Sequence, residues 1–167
     1  MNKAIFFDRD GTLVKLIYRK DINIYSGPWN VNELDLYDII NISKLKNYLL
    51  FLVTNQSDVR KGYPTSMKNL MDIHSRFHNI LESKNIHFTE YYYCFHNDED
   101  NCICRKPSPY FLLEAAKKYN VNLSESWMIG DRDKDMKCGK LAGCKTIKIT
   151  KMNNLENTIK KILNYTE

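Results

Sequence analysis

Residues 3–14 read KAIFFDRDGTLV and give the strongest indication of the fold class. Its apolar part does not alternate with polar residues, which is typical of a buried central strand in a parallel sheet. Asp8 and Asp10 follow where the strand should end, and Gly11 permits a sharp turn of the backbone. Because ligands of open α/β sheets bind at the carboxyl ends of central strands, the stretch predicts an α/β fold with an acidic site there.

The carboxylates of Asp8 and Asp10 can divide a displacement reaction between them. One attacks an electrophile while the other transfers protons, and a metal ion offsets their mutual repulsion. The simpler interpretation is a strand followed by an Asp-Gly turn, which is common in proteins. Three later segments of the chain favour the catalytic interpretation.

These three segments carry polar and charged side chains suited to a phosphoryl group. TNQS at 54–57 follows the apolar run LLFLV, CRKPSP occupies 104–109, and WMIGDRDKD occupies 127–135. Hydroxyl and amide groups bind phosphate oxygens, lysine and arginine supply fixed positive charge, and carboxylates are ligands of Mg²⁺. Together with the first motif, they predict a site that holds a phosphoryl group and a magnesium ion.

The order of these motifs resembles that of the haloacid dehalogenase (HAD) superfamily, and the similarity extends from Lys3 to about Ile149. Phosphatases of that superfamily carry DxDGT, a Ser/Thr motif, a Lys motif and GDxxxD in this order. TNQSDVRKG, CFHNDEDNCIC, RKPSP and GDRDKD further resemble subclass IIIA, the branch of histidinol phosphatases and heptose bisphosphate phosphatases. The resemblance implies a Rossmann-like HAD fold, in which helices flank a central parallel β-sheet and Asp8 lies on the central strand.

The same resemblance implies the catalytic and magnesium-binding roles. Asp8 is expected to be the nucleophile and to form an aspartyl-phosphate, which divides a slow hydrolysis into two easier displacements. Asp10 is expected to protonate the leaving alcohol and then to activate water. The implied ligands of Mg²⁺ are Asp8, the backbone carbonyl of Asp10, and Asp131.

It also implies which residues hold the phosphorylated substrate. Thr54 and Lys106 are expected to bind the phosphoryl group, and Lys106 is expected to offset its charge together with Mg²⁺. Arg105 is expected to contact the substrate. The phosphate-binding set is completed by Asn55, Gln56 and Ser57, and Gly11, Arg132 and Asp135 are expected in supporting positions.

A second group of metal-ligand residues lies in CFHNDEDNCIC, at 94–104. Cys94, His96, Cys102 and Cys104 supply a full tetrahedral ligand set for Zn²⁺, and the short polar segment between them can turn back. Disulfides and redox-active thiols are the alternatives. An odd number of cysteines and no signal peptide favour a reducing, cytoplasmic location. Because four protein ligands leave no position for water, this zinc is expected to be structural. It is also expected to orient Arg105 and Lys106, which follow Cys104 in the chain.

Composition favours a single enzyme domain over residues 1–167. The chain is 43% hydrophobic, and no apolar run approaches the length needed to span a membrane. A formal net charge of +5 favours anionic ligands but does not by itself indicate nucleic acid. The stretches between the motifs are too short for a separate lid domain, so a capless, open site is expected, in a monomer or weak oligomer that acts on a small phosphorylated molecule.

Alternating strands and helices are predicted along the chain, as in a parallel sheet with right-handed crossovers. Leu112, Ala115, Ala116 and Tyr119 recur at helical spacing and are expected to face the core. Strands are predicted near 3–7, 49–53, 91–95, 126–129 and 145–149, and helices near 33–47, 66–84, 109–119, 133–142 and 153–164.

The segment 15–30, KLIYRKDINIYSGPWN, has two open interpretations. In the first it selects the substrate, with basic side chains that meet a second anionic group and aromatic side chains that pack on a ring. In the second it is a surface loop whose aromatic residues cover the sheet edge. The residues concerned are Lys15, Tyr18, Arg19, Lys20, Tyr25 and Trp29.

Three functional hypotheses follow from these patterns. The first is a Mg²⁺-dependent phosphatase of a small sugar phosphate such as a heptose 1,7-bisphosphate, with a histidinol-phosphate phosphatase as the alternative that uses the same motifs. The second is a phosphatase of nucleic-acid 3′ ends, which predicts salt-sensitive DNA binding and for which no basic, aromatic track is present. The third is a non-catalytic, zinc-bearing interaction module, against which the complete set of acids and the lysine argue.

Overall fold

The computed structural model describes residues 1–165 and shows a five-stranded parallel sheet in the order β5-β4-β1-β6-β7. The domain prediction over 1–167 also includes Thr166 and Glu167, which lie outside the described residues. A separate two-stranded antiparallel hairpin is formed by β2 and β3. The strands are β1 (Lys3–Phe7), β2 (Ile17–Arg19), β3 (Ile24–Ser26), β4 (Tyr48–Asn55), β5 (Glu90–Cys94), β6 (Trp127–Gly130) and β7 (Lys145–Lys148).

Helices cover both faces of the sheet because side chains of the buried strands alternate between two apolar clusters. Ile5 and Phe7 of β1 pack with side chains of the first and last helices, whereas Ala4 and Phe6 pack with those of the second and third. None of the helices within residues 1–165 is long and apolar enough to cross a membrane. The helices are α1 (Met67–Ser83), α2 (Tyr110–Tyr119), α3 (Asp133–Ala142) and α4 (Leu155–Tyr165).

All five predicted strands and four of the five predicted helices are confirmed within a few residues. The helix predicted near 33–47 is wrong. A short 3₁₀ turn, Val31–Glu33, ends where that segment begins, and a second, Ile40–Lys44, lies within it. Its buried side chains Ile39, Ile42 and Leu45 recur every third residue, which matches the threefold period of a 3₁₀ helix better than that of an α-helix.

The sheet topology collects the predicted motifs at one edge. Asp8 follows β1, Thr54 and Asn55 end β4, Cys94 ends β5, and Asp131 follows β6. Because these strands are adjacent and parallel, their carboxyl ends lie side by side. Among the described residues, the chain between Asp10 and Thr54 forms the hairpin, three short 3₁₀ turns and the strand β4, so this stretch contains no lid domain.

Candidate active site

Lys106 lies at the centre of the site, and its side chain is 1% exposed. Its Nζ is 2.6 Å from Asp8 Oδ1 and 2.7 Å from Asp135 Oδ1, and it also donates to the carbonyl oxygen of Val53 at 2.7 Å. Although burial opposes its charge, Asp8 and Asp135 raise the pKa of Lys106 above its ordinary value. Lys106 therefore places a fixed positive charge beside Asp8 that is buried away from solvent.

Asp8 itself is almost buried, at 8% exposure. Burial raises the pKa of Asp8 to about 7, with Asp135 and Asp131 adding to the rise and Lys106 opposing it. A cation bound among these carboxylates would favour the charged form again, because opposite charge at short range lowers a carboxyl pKa. The protonation state of Asp8, the carboxylate that is expected to attack phosphorus, therefore depends on the charged groups around it.

Asp131 fits the role of a metal ligand. Oxygens of Asp8, Asp131 and Asp135 lie within 4.8 Å of one another, as carboxylate ligands of one cation do. Asp131 Oδ1 is buried and has no hydrogen-bond partner among residues 1–165, which is costly for a carboxylate unless a cation satisfies it. Gly11, with a φ of +86°, lies so close that a Cβ there would overlap the Asp131 carboxylate. The donor set thus suits Mg²⁺, which prefers carboxylate oxygens.

Asp10 is held by two side chains. Arg9 Nε donates to Asp10 Oδ1 at 2.8 Å and Arg9 Nη2 to Oδ2 at 3.0 Å, a two-point contact. Gln56 Nε2 donates to Asp10 Oδ2 at 2.8 Å and to Thr54 Oγ1 at 2.9 Å. Because Thr54 Oγ1 accepts from Gln56, its own hydrogen is free to donate to a phosphate oxygen.

The side-chain amides of Gln56 and Asn55, both predicted to bind phosphate, contact other residues of the site. Gln56 also accepts from Arg9 Nη2 at 2.9 Å, so its amide is fully engaged. Asn55 Oδ1 accepts from the Lys106 backbone N–H at 3.1 Å, and Asn55 Nδ2 donates to the Lys106 carbonyl at 3.2 Å. These contacts position Asp10, Thr54 and Lys106, and both Asn55 and Gln56 line the cavity described below.

The predicted zinc residues also lie together. His96 Nδ1 is 3.5 Å from Cys94 Sγ and 3.4 Å from Cys104 Sγ, and Cys102 Sγ is 3.6 Å from Cys94 Sγ and 3.7 Å from Cys104 Sγ. Ligands of a tetrahedral Zn²⁺ are separated by about 3.3–3.8 Å, given bonds of about 2.0–2.3 Å. The Cys94 and Cys104 sulfurs are 2.9 Å apart, and every cysteine is free. The cluster therefore fits a metal and contains no disulfide.

Arg105 is tied to the zinc-ligand loop. Its Nε donates to Asp98 Oδ1 at 2.5 Å and its Nη1 to the carbonyl oxygen of His96 at 3.0 Å. The loop that carries the cysteines therefore sets the direction of the Arg105 side chain.

A cavity of about 260 Å³ opens at this edge of the sheet. It brings together nine of the predicted site residues, and carboxylate oxygens of Asp131 and Asp135 lie within 4.8 Å of one on Asp8. Lys61 and Lys134 add positive charge at its wall. The nine residues are Asp8, Asp10, Thr54, Asn55, Gln56, Ser57, Arg105, Lys106 and Arg132.

The hairpin within 15–30 packs beside this cavity. Arg19 is not among the residues that line the cavity. Its guanidinium donates to both oxygens of Glu33, at 2.9 and 2.7 Å, and its Cζ lies 3.9 Å from the centroid of the Trp29 ring. Trp29 is buried, and its indole N–H donates to Asp58 Oδ2 at 2.9 Å. Of the aromatic residues in the segment, Tyr25 lines the cavity and is 61% exposed.

Sequence reasoning missed three contributors to this site. Arg9 is fully buried and holds Asp10, and its position between two acids at the end of a buried strand was the available signal. Gly27 packs so closely on Asp10 that a Cβ there would overlap the carboxylate. Asp58 accepts a hydrogen bond from the indole N–H of Trp29, which lies 29 positions earlier in the chain, and nothing in the local sequence indicates that contact.

Comparison with known protein families agrees with these motifs. A family model described as HAD-hydrolase-like matches residues 103–161. D-glycero-beta-D-manno-heptose-1,7-bisphosphate 7-phosphatase of Helicobacter pylori strain J99 is 34% identical over 161 residues, which cover 93% of this chain and 87% of that protein. The enzyme of the same name from Pasteurella multocida is 37% identical, over 90% of this chain and 83% of that protein.

Solved structures show the same fold. D,D-heptose 1,7-bisphosphate phosphatase from B. bronchiseptica, complexed with magnesium and phosphate, superposes with a TM-score of 0.83 at 22% identity, covering 98% of this chain and 99% of that one. A HAD-like phosphatase from Mesorhizobium loti superposes with a TM-score of 0.71 at 26% identity, covering 86% and 69% of the two chains.

Proposed function

This chain belongs to the HAD-like phosphatases, in the family of the heptose bisphosphate phosphatases described above, and on that premise we propose that it removes the 7-phosphate of D-glycero-β-D-manno-heptose 1,7-bisphosphate. The observation that carries the proposal is the Asp8–Lys106 contact at 2.6 Å inside a small polar cavity, in a chain whose relatives act on this sugar phosphate. A phosphorylated small molecule is the class of substrate that both observations support.

We assign the first chemical step to Asp8. One carboxylate oxygen attacks phosphorus, the bond to the sugar oxygen breaks, and an aspartyl-phosphate forms on Asp8. Lys106 offsets the charge of the phosphoryl oxygens, and Thr54 donates its free hydrogen to one of them. Asp10 gives a proton to the departing alcohol and then takes one from the water that hydrolyses the intermediate.

Mg²⁺ is the cation that HAD phosphatases use, and a structural neighbour was solved with magnesium and phosphate. We propose that Asp8, the Asp10 carbonyl and Asp131 hold it here, with support from Asp135. When bound, Mg²⁺ neutralises charge on the phosphoryl oxygens and keeps Asp8 ionised.

The Cys/His cluster is proposed to hold a structural Zn²⁺. Four ligand atoms within 4.8 Å of one another and the contact of Arg105 with the loop support this role. We infer that the metal keeps Arg105 and Lys106 directed toward the cavity. The cytoplasmic location and the monomeric or weakly oligomeric state stay predictions, and the five free cysteines support the former.

A zinc ligand can be tested separately from catalysis. Cys104→Ser is expected to reduce bound zinc, measured by atomic emission, from about one ion per chain to almost none, since three ligands hold zinc weakly. It should also lower the melting temperature by about 10 °C, which corresponds to about 3 kcal/mol for a chain of this size. Cys144→Ser is the control, because that buried thiol lies outside the cluster. Zinc retained in Cys104→Ser, or lost equally in both variants, would contradict the assignment.

The substrate is tested by phosphate release with Mg²⁺ from a panel of phosphates. It comprises both anomers of heptose 1,7-bisphosphate, histidinol phosphate, common hexose phosphates and a 3′-phosphorylated oligonucleotide. We expect the β anomer to give a kcat/KM at least about 100-fold above the others, which is about 2.7 kcal/mol of discrimination in the transition state. If histidinol phosphate were the best substrate, the proposal would be replaced by a histidinol-phosphate phosphatase. If the oligonucleotide were the best substrate, it would be replaced by a phosphatase of nucleic-acid 3′ ends.

A further inference from the structure

Two separate segments form part of the cavity wall. The hairpin contributes Tyr25. The turn at 57–63, which follows β4, contributes Lys61 and Tyr63. This turn is closed by a hydrogen bond from the Lys61 backbone N–H to the carbonyl oxygen of Ser57, at 3.1 Å. Because Lys61 is exposed, its positive charge is accessible to an anionic molecule in the cavity. The position of the turn relative to the hairpin therefore sets the shape and charge of this part of the wall.

Trp29 connects the hairpin to the turn. It is buried, and its indole N–H donates to Oδ2 of Asp58, near the start of the turn, at 2.9 Å. Near the end of the turn, the Tyr63 ring packs on Trp29 with centroids 5.3 Å apart, and Thr65 Oγ1 donates to the Trp29 carbonyl oxygen at 2.8 Å. Arg19 lies over the Trp29 ring and holds it on the hairpin side. The turn is thus joined to the hairpin at both of its ends through one residue.

The tip of the turn has few other contacts. Gly62 has a φ of +73°, and no atom outside its chain neighbours lies within 4 Å of the position that a Cβ would occupy there. The contact at the start of the turn has a charged acceptor, and such hydrogen bonds are stronger than those between neutral groups. Loss of the Asp58 contact is therefore expected to free the turn from the hairpin at one end and to let Lys61 occupy several positions.

We propose that Trp29 and Asp58 are positioning residues for substrate binding, and that their hydrogen bond fixes the part of the wall that meets the substrate away from its reacting phosphoryl group. The phosphoryl group itself is assigned to Thr54 and Lys106, so the contact acts on affinity and not on the chemical step. A sugar bisphosphate extends beyond the phosphoryl site and depends on the turn, whereas inorganic phosphate occupies that site alone. This inference rests on the proposed function, which supplies the substrate.

The first variant removes the indole N–H. Trp29→Phe keeps an aromatic ring beside Arg19 and Tyr63 but has no hydrogen to donate to Asp58. When a binding-competent arrangement is present in only a fraction of molecules, the apparent affinity falls by that fraction. We expect KM for heptose 1,7-bisphosphate to rise about 10-fold, as if the turn were in place in about one molecule in ten, with kcat changed less than about 2-fold. The inhibition constant of inorganic phosphate, measured in the same Mg²⁺ assay, should stay within about 2-fold of wild type.

The second pair of variants changes the acceptor. Asp58→Ala should raise KM as Trp29→Phe does, and it decides the matter if Trp29→Phe is not folded by circular dichroism. Asp58→Asn keeps an oxygen that can accept from the indole, and it should hold KM within about 3-fold of wild type. Because Trp29→Phe and Asp58→Ala break the same contact, the double variant should have a KM no higher than either single variant. Independent, additive losses would overturn the inference.

The other tryptophan of the chain provides a matched control. Trp127 begins β6 and is not among the residues that line the cavity. Its Nε1 is buried without a hydrogen-bond partner among residues 1–165. Trp127→Phe therefore makes the same exchange of rings without breaking such a contact, and its KM is expected to match that of wild type.

The outcomes separate this inference from the proposed function. If wild type hydrolyses the sugar phosphate but Trp29→Phe and Asp58→Ala have its KM, or lose kcat instead, the inference is overturned and the function stands. It is also overturned if the inhibition constant of phosphate rises as much as KM, if Asp58→Asn is as poor as Asp58→Ala, or if Trp127→Phe shows the same rise. If wild type releases no phosphate from any substrate, the proposed function fails and this inference fails with it.

Discussion

Asp8→Asn is expected to lower phosphate release from every substrate by on the order of 10⁴-fold or more, because an amide cannot form the covalent intermediate. The substitution keeps the size of the side chain, so the Lys106 contact can be retained through the amide oxygen. Steady-state kinetics with Mg²⁺ provide the measurement, and circular dichroism establishes that the variant is folded.

Asp133→Asn is the matched control, from the same acidic motif that contains Asp131. Its carboxylate lies at the surface and binds Lys148 Nζ at 2.7 Å, away from the cavity. Activity close to wild type is expected. If Asp8→Asn kept activity within about tenfold of wild type, Asp8 would not be the nucleophile, since that loss is only about 1.4 kcal/mol of barrier.

Lys106→Met should reduce both stability and activity. It removes the cation that contacts Asp8 and Asp135 and leaves two carboxylates close together in a buried place. Breaking a buried ion pair from one side typically costs about 3–5 kcal/mol, so urea denaturation should show a loss in the free energy of unfolding of that size. Phosphate release should fall by at least about 100-fold, because the phosphoryl charge is no longer offset by Lys106.

Lys118→Met provides the comparison for that result. Lys118 contacts Glu90 at 3.0 Å on the surface, where solvent screens the pair, and little change in stability or activity is expected. A Lys106→Met protein as stable as the Lys118→Met protein would show that Asp8 and Asp135 do not depend on the lysine in the folded state.

The strands were predictable because buried parallel strands carry short, uninterrupted apolar runs, and β1 and β4 are the strongest examples. The wrong prediction of a helix at 33–47 shows the limit of reasoning from apolar patterns alone. Apolar residues there follow a spacing that fits two periodicities, and the choice between them depends on how Ile39, Ile42 and Leu45 meet the sheet.

The interpretation of 15–30 depended on contacts that no local pattern contains. Arg19 could have met a substrate anion, but Glu33 lies within reach and neutralises it. Trp29 could have stacked on a ring, but Asp58 binds its indole and the residue is buried. Each of these outcomes depends on a partner that the fold, and not the neighbouring sequence, brings close.

The fold class, the family resemblance and the choice of chemical groups could be predicted from the sequence, because strand patterning and motif spacing are local properties of the chain. Which charges meet depends on the tertiary structure. Lys106 reaches Asp8 across 98 positions, and Arg9 is withdrawn from solvent to hold Asp10. The physical reason is that ion pairing and desolvation depend on distance and burial in space, which the order of strands in the sheet creates.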